Sequence, residues 1–254
     1  MENTGVIARL LAELSWSGKA IRDYREGGRG YENVLTAEAL HALDFLPRRD
    51  FLGAVLGCAH GAERARRMLI EEVESISTTL LPGNSYLLPG STHQKGMAVQ
   101  PDARLSSPSC LALVEAKRLR PGSRFQAQQL ARQLVLVTRD ATALPPHTRT
   151  PILLLILGHP PPVVVERERR KSEESVQDAI ARDLPAVLSR MGEQQFTAEA
   201  LLASVPDVVA WVTWDQVQNV IRSQSAKFRS DDPSVFASVQ RLARAATDAI
   251  DWHR

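Results

Sequence analysis

Apolar side chains recur at three- and four-residue spacing in several stretches, the period of one helix face. Val6, Leu10, Leu11 and Leu14 predict a helix within residues 5–24, and glycines at 27, 28 and 30 then break the chain. Leu35, Ala39, Leu40, Leu43 and Leu46 predict a second helix over about 35–46, with a third over Phe51–Met68 after the turn at Pro47. The middle of the chain changes period. Residues 70–81 mix β-branched and apolar positions and read as a first strand, closed by the turn Pro82-Gly83-Asn84. Met97–Leu105 and Cys110–Lys117 read as two extended segments joined by the turn-rich Ser106–Ser109. Leu111–Val114 holds no polar position, as a strand covered on both faces requires. Ala127, Leu130, Ala131 and Leu134 put an apolar stripe on a helix over Arg124–Val137, for which Ser123 offers an N-cap. Pro151–Leu157 reads as another buried strand, and residues 163–165 offer an edge strand. Strand, helix and strand in that order predict a right-handed parallel crossover. Helical spacing returns from Ser172 to about Arg190, followed by a short strand near Val208–Val212, a helix over Asp215–Ser223 and a last helix over Pro233–Trp252.

These elements predict an α/β fold: a mixed sheet flanked by helices, with further helices at both ends. A chain of 254 residues is long enough to bury one sizeable core, so residues 1–254 read as a single domain. Its core falls at about 32–160, with N-terminal helices over 1–30 and a C-terminal helical extension over about 172–254. Composition is that of a globular protein, 44% hydrophobic and 24% charged. A net charge of +2, from 31 basic and 29 acidic residues, gives no bulk argument for a polyanionic partner; a basic surface would have to be local. The two cysteines, Cys58 and Cys110, lack zinc-ligand spacing and fit a reducing cytoplasm. The first residues lack the basic-then-apolar order of a signal peptide, and the longest apolar run, Ile152–Leu157, is too short to span a bilayer. A cytoplasmic protein without membrane contact is expected.

The chemistry-bearing segment is Gln100-Pro101-Asp102, twelve intervening residues, then Glu115-Ala116-Lys117. If the two segments pair as neighbouring strands, both carboxylates meet. Positions i and i+2 of a strand share a face, so the Glu115 carboxylate and the Lys117 ammonium point into one site. Ala116 faces the other way, but its backbone carbonyl is in reach of the same metal. Hydrolysis of a phosphodiester needs a divalent cation to polarise the phosphoryl oxygen and help generate hydroxide. Mg2+ (or Mn2+) takes hard oxygen ligands, keeps several waters and is held by one or two carboxylates. A lysine beside the attacking water orients it or offsets developing charge.

Pro101-Asp102…Glu115-Ala116-Lys117 resembles the signature of the PD-(D/E)XK nucleases, a family of restriction, repair and antiviral-defence enzymes. Coverage runs from about Glu32 to Leu157, roughly half the chain. The resemblance implies a restriction-endonuclease-like core of helix, three-strand meander, crossover helix and further strand. It implies Asp102 and Glu115 as metal ligands, with the Ala116 carbonyl, and Lys117 as the water-activating residue. Tyr31–Thr36 resembles the start of the family's first core helix, whose glutamate, here Glu32, supports the metal. Gln126, Gln129 and Gln133 form a polar stripe on the helix after the lysine strand, and Gln129 is the best match to the family's glutamine. Two departures stand out. The aromatic residue that often follows that glutamine by four positions is Gln133 here. Glu71, Glu72 and Glu74 form a second acidic segment nearer to Asp102, although residues 71–81 look more like the first strand. Trp211–Gln216 loosely resembles a later strand-to-helix step of some members.

Other residues have plainer readings. His93 is a solvated loop histidine, Arg167–Lys171 a solvated lead-in to a helix, and Trp211 and Trp214 core residues. Lys117, Arg118 and Arg120 form a local basic cluster suited to contacting DNA. The expected activity is metal-dependent cleavage of DNA. A defence or restriction role and a partner protein of a defence system are implied by the family alone, and a homodimer is expected because two related sites would cut both strands of a duplex. The alternatives are a nuclease-like fold that binds nucleic acid or protein without cutting, and an α/β interaction subunit in which the motif is accidental.

Overall fold

The computed structural model describes residues 31–90, 96–119, 123–143, 148–192 and 196–253. The expected helix within residues 5–24 lies outside them, as do His93 and Arg120. The chain is α/β, built on a five-stranded mixed sheet in the order β1 (Ser77–Leu80), β4 (Ala103–Ser106), β5 (Cys110–Ala116), β7 (Thr150–Leu157), β10 (Val209–Thr213). β1–β4 and β4–β5 are antiparallel, while β5–β7 and β7–β10 are parallel. Helix α1 (Tyr31–Phe45) precedes this sheet, and α4 (Gln129–Thr142) connects β5 to β7.

The central strands read as unbroken apolar runs because both faces are covered. Alternation sorts their side chains into two cores. Cys110, Ala112, Val114 and Ala116 of β5, with Ile152, Leu154 and Ile156 of β7, pack in one core with α1 residues such as Leu40 and Leu43. Leu111 and Leu113, with Leu153, Leu155 and Leu157, pack in the other with Leu130, Leu134 and Val137 of α4. The second core is closed by α5 (Val176–Leu188) and α6 (Ala198–Val208), and the first by α7 (Trp214–Lys227) and α8 (Pro233–Trp252).

Several elements differ from the sequence expectation, each for a local reason. The helix expected over Phe51–Met68 is two, α2 (Leu52–Cys58) and α3 (Glu63–Glu71). Between them Gly61 and Ala62 take φ of +76° and +45°, and His60 exchanges backbone hydrogen bonds of 2.8 and 2.9 Å with Trp211. This link occupies the open edge of β10, and the His60 ring stacks on Trp211. Buried Arg66 donates to the Leu56 and Gly61 carbonyls at 2.7 and 2.6 Å, supplying partners to the chain end that the break exposes. The first strand is shorter than residues 70–81, because α3 runs to Glu71 and a 3-10 turn covers Val73–Ser75.

Met97–Leu105 is two strands: β3 (Met97–Val99) pairs with β2 (Ser85–Leu87) in a separate ribbon, and β4 follows. β6 (Phe125–Gln126) replaces the first turn of the helix expected from Arg124, and Gln128 at φ +64° resets the chain into α4. Residues 163–165 do not extend the main sheet. They open β8 (Val163–Arg167), which joins β6 and β9 (Arg170–Glu174) in a three-stranded sheet. Arg167–Lys171 is therefore a hairpin rather than a helix lead-in, and α5 begins at Val176, not Ser172. Helix α6 was missed, while the last helix is as expected. Among the described residues no helix is long and apolar enough to cross a membrane.

Candidate active site

The hairpin of β4 and β5 turns through Ser107-Pro108-Ser109, with Ser107 N–H on the Cys110 carbonyl at 3.0 Å. Its register pairs Ala103 with Val114, so one further step sets Asp102 opposite Glu115. Asp102 is locked there: its N–H reaches the Val114 carbonyl at 3.0 Å and its carbonyl accepts from Leu81 N–H at 2.8 Å. Its Oδ2 accepts the Ala116 N–H at 2.7 Å. Asp102 is thus tied to the strand end that carries Glu115.

Glu115 and Lys117 extend the Leu111 and Leu113 side of β5, towards α4. Both are buried, at 3% and 8% exposure, which is costly for charges unless they are paired or bind metal. Lys117 Nζ donates to Glu115 Oε1 at 2.6 Å and stands 5.0 Å from the centre of the Phe125 ring. Gln129 and Gln133, one helical turn apart on α4, reach the same carboxylate. Gln129 Nε2 donates to Oε1 at 2.6 Å, and Gln133 Nε2 donates to Oε2. Gln129 Oε1 in turn accepts the Gln126 N–H at 3.1 Å, which fixes the orientation of its amide.

The strand end is held from the far side as well. Lys117 N–H donates to the Ile156 carbonyl at 2.7 Å, and its carbonyl accepts from Trp214 Nε1 at 2.8 Å. Gly158 lets β7 exit beside this point, since a Cβ there would meet the Arg118 carbonyl oxygen at 2.3 Å. Trp214 is fully buried and Trp211 partly so, which agrees with core roles.

Glu115, Lys117 and Gln129 therefore meet at one place, and Asp102 is tied to the same strand end through the Ala116 N–H. Ala116 joins them through its backbone, its side chain being in the opposite core. Glu32 lies in the first turn of α1, and its side chain falls outside the described residues. The rival acidic segment serves elsewhere. Glu72 accepts from the backbone and hydroxyl of Ser109 at 3.0 and 2.6 Å, at the opposite end of β5. Burial raises the Glu72 pKa, but the hydrogen bonds from Ser107 and Ser109 outweigh it and hold the carboxyl below its usual range. Glu74 accepts from Arg49 N–H, and Glu71 is exposed. Arg118 is half-buried next to the site.

Sequence reasoning named Gln133 in the polar stripe without giving it a role. It also missed the support beneath α4. Asp183 of α5 accepts the N–H of left-handed Gln128 at 2.9 Å and holds Arg167 with both oxygens, at 2.9 and 3.0 Å. Arg167 also pairs with buried Glu174. Its guanidinium is held above its ordinary pKa, chiefly by the hydrogen bond to Asp183.

Two carboxylates do not make an all-protein metal cage, and no group of three or more His, Cys, Asp or Glu residues able to hold a metal is found among the described residues. The donor set instead suits a hard dication that keeps its waters. Glu115 Oε1 takes two donors and Oε2 one, and a carboxylate oxygen has two lone pairs, so Oε2 retains one for a cation. No family model, no curated protein and no solved structure matches this chain.

Proposed function

We propose that the chain is a metal-dependent deoxyribonuclease built on a restriction-endonuclease-like core. One observation carries this reading. A buried carboxylate at the end of a central strand is gripped by Lys117 and Gln129, opposite a second carboxylate on the paired strand. The strand order supports it too, with an antiparallel meander of β1, β4 and β5 followed by a helical crossover to parallel β7. Mg2+ or Mn2+, when bound, would polarise the phosphoryl oxygen and acidify a bound water. Asp102 and Glu115 would hold it, with the Ala116 carbonyl and, from α1, Glu32. Lys117, released from its pair with Glu115, orients the attacking water and offsets charge on the phosphoryl oxygens. Gln129 keeps Glu115 turned towards Asp102. A restriction or defence role, an activating partner protein and a homodimer with two matched sites belong to the same proposal.

The test is cleavage of supercoiled, linear and single-stranded DNA in Mg2+ or Mn2+, against chelator and against folded Lys117→Ala. Metal-dependent cutting lost in the variant is the expected result. A second reading, a nuclease-like binding module, has one observation in its favour: Lys117 and Glu115 neutralise each other and both oxygens of Glu115 already have protein donors. Retarded DNA migration without cutting at any metal concentration would establish that alternative.

A further inference from the structure

Gln133 is 1% exposed, on the buried side of α4. Its Nε2 donates to Glu115 Oε2, and its Oε1 is buried with no hydrogen-bond partner. A buried amide oxygen without a donor is costly, and an apolar side chain of the same length would avoid that cost. The same helix carries Leu130, Leu134 and Val137 into an aliphatic core, where a methionine or leucine would be at home. What the amide supplies, and an apolar residue cannot, is a donor to the second oxygen of Glu115. Gln129 and Lys117 both hold Oε1; the donor on Oε2 engages the other oxygen, so turning the carboxylate about its last bond must break contacts on both sides.

We propose that Gln133 is a positioning residue, which fixes the plane of the Glu115 carboxylate so that the remaining lone pair of Oε2 is presented to a divalent cation. This rests on the nuclease reading above. It predicts that the amide matters more for metal affinity than for folding, because the bond lost from Glu115 is offset by removal of the buried, unpartnered Oε1. Partners that orient a metal ligand are commonly worth ten- to a hundredfold in affinity or activity, on the order of 10–100.

The test compares the full-length wild type with Gln133→Met, which keeps length and apolar fit but removes the donor. Thermal unfolding is followed in chelator and with MnCl2 titrated in, alongside cleavage of supercoiled DNA. The expected result is a similar midpoint in chelator, with the Mn2+ concentration for half-maximal stabilisation raised about tenfold or more. Cleavage at limiting metal falls in parallel and partly recovers at high metal. Gln133→Leu, which differs in shape but also lacks the amide, gives the same displacement of the metal response. If both variants keep the wild-type metal response while the wild type cuts, the proposal fails and the nuclease reading stands. If the wild type neither cuts nor responds to Mn2+, the nuclease reading falls and takes this proposal with it.

Discussion

Asp183 offers a test of how the site is held in place. Its carboxylate, 12% exposed, gives both oxygens to Arg167 and takes the N–H of Gln128, the left-handed residue from which α4 departs. Asp183→Ala removes both acceptor oxygens and with them three hydrogen bonds. Arg167 keeps Glu174, so no guanidinium is stranded. The Gln128 N–H loses a charged acceptor, a hydrogen bond of the class worth about 1.5–3 kcal/mol. The Arg167 pair is partly screened, and its loss adds about 1 kcal/mol. The sum is about 3 kcal/mol, which in a chain of this size lowers the melting temperature by about 6–12 °C. Asp183→Asn still accepts from Gln128 and from one guanidinium nitrogen, so about 1 kcal/mol is expected. Melting by circular dichroism gives both numbers.

Cleavage by the folded fraction gives the functional consequence. Gln128 precedes Gln129, so a loosened α4 start moves the amide that grips Glu115, and the folded Asp183→Ala protein should cut about tenfold more slowly. A melting temperature within a degree or two of wild type would refute the anchoring argument. A large drop in melting temperature with undiminished cleavage would refute the coupling to the site.

Two further outcomes follow from local geometry. Gly61→Ala combines a φ of +76° with a Cβ placed 2.4 Å from the Val209 carbonyl oxygen. It should lose about 2–4 kcal/mol in denaturant unfolding, and a loss under about 1 kcal/mol would mean that the His60–Trp211 link yields easily. Burial raises the pKa of Glu174, but Ser172 and Arg167 outweigh it, so the folded-state value lies below the usual 4.5. A depressed carboxyl adds stability that is present above the unfolded-state value and lost as pH falls through the folded one. Wild type should therefore lose stability below about pH 4.5 more steeply than Glu174→Gln, and parallel acid limbs in urea titrations would contradict that.

The fold was legible wherever one periodicity ruled a long segment. β5 and β7 read correctly because strands covered on both faces carry unbroken apolar runs, and α8 because its stripe persists from Pro233 to Trp252. The paired positions of Asp102, Glu115 and Lys117 were legible for a similar reason: a short turn and strict alternation leave little freedom of register. What failed to show in the sequence depends on distant partners. The α2–α3 break coincides with the backbone link between His60 and Trp211, some 150 residues along the chain. Helix α6 carries Pro206 within it and hid its pattern, and β8 pairs with β9 and β6 in a separate sheet, where Arg167 meets Asp183. Asp183 itself gave no signal. Nothing local distinguishes a carboxylate that caps a remote backbone N–H from one that faces water.

Stability alone does not account for the cluster at the end of β5. Glu115, Lys117 and Gln133 are each under a tenth exposed in a layer otherwise lined with apolar side chains, most of them leucine and valine. Buried ion pairs seldom repay their desolvation, and apolar side chains of similar volume in such places are often neutral or stabilising. Gln133 adds an amide oxygen left without a donor, and Gln128 a left-handed residue that is not glycine. These departures from local preference are neighbours. They share α4, β5 and the Asp183 brace, at the strand end to which Asp102 is tied. Ala62, Leu81, Glu168 and Arg169 are also left-handed and Arg66 is also buried. At the end of β5, however, a buried ion pair and an unpartnered amide oxygen meet on one carboxylate, as happens where another requirement competes with folding. On the proposed reading that requirement is cation binding and water activation, and it is what the metal titrations probe.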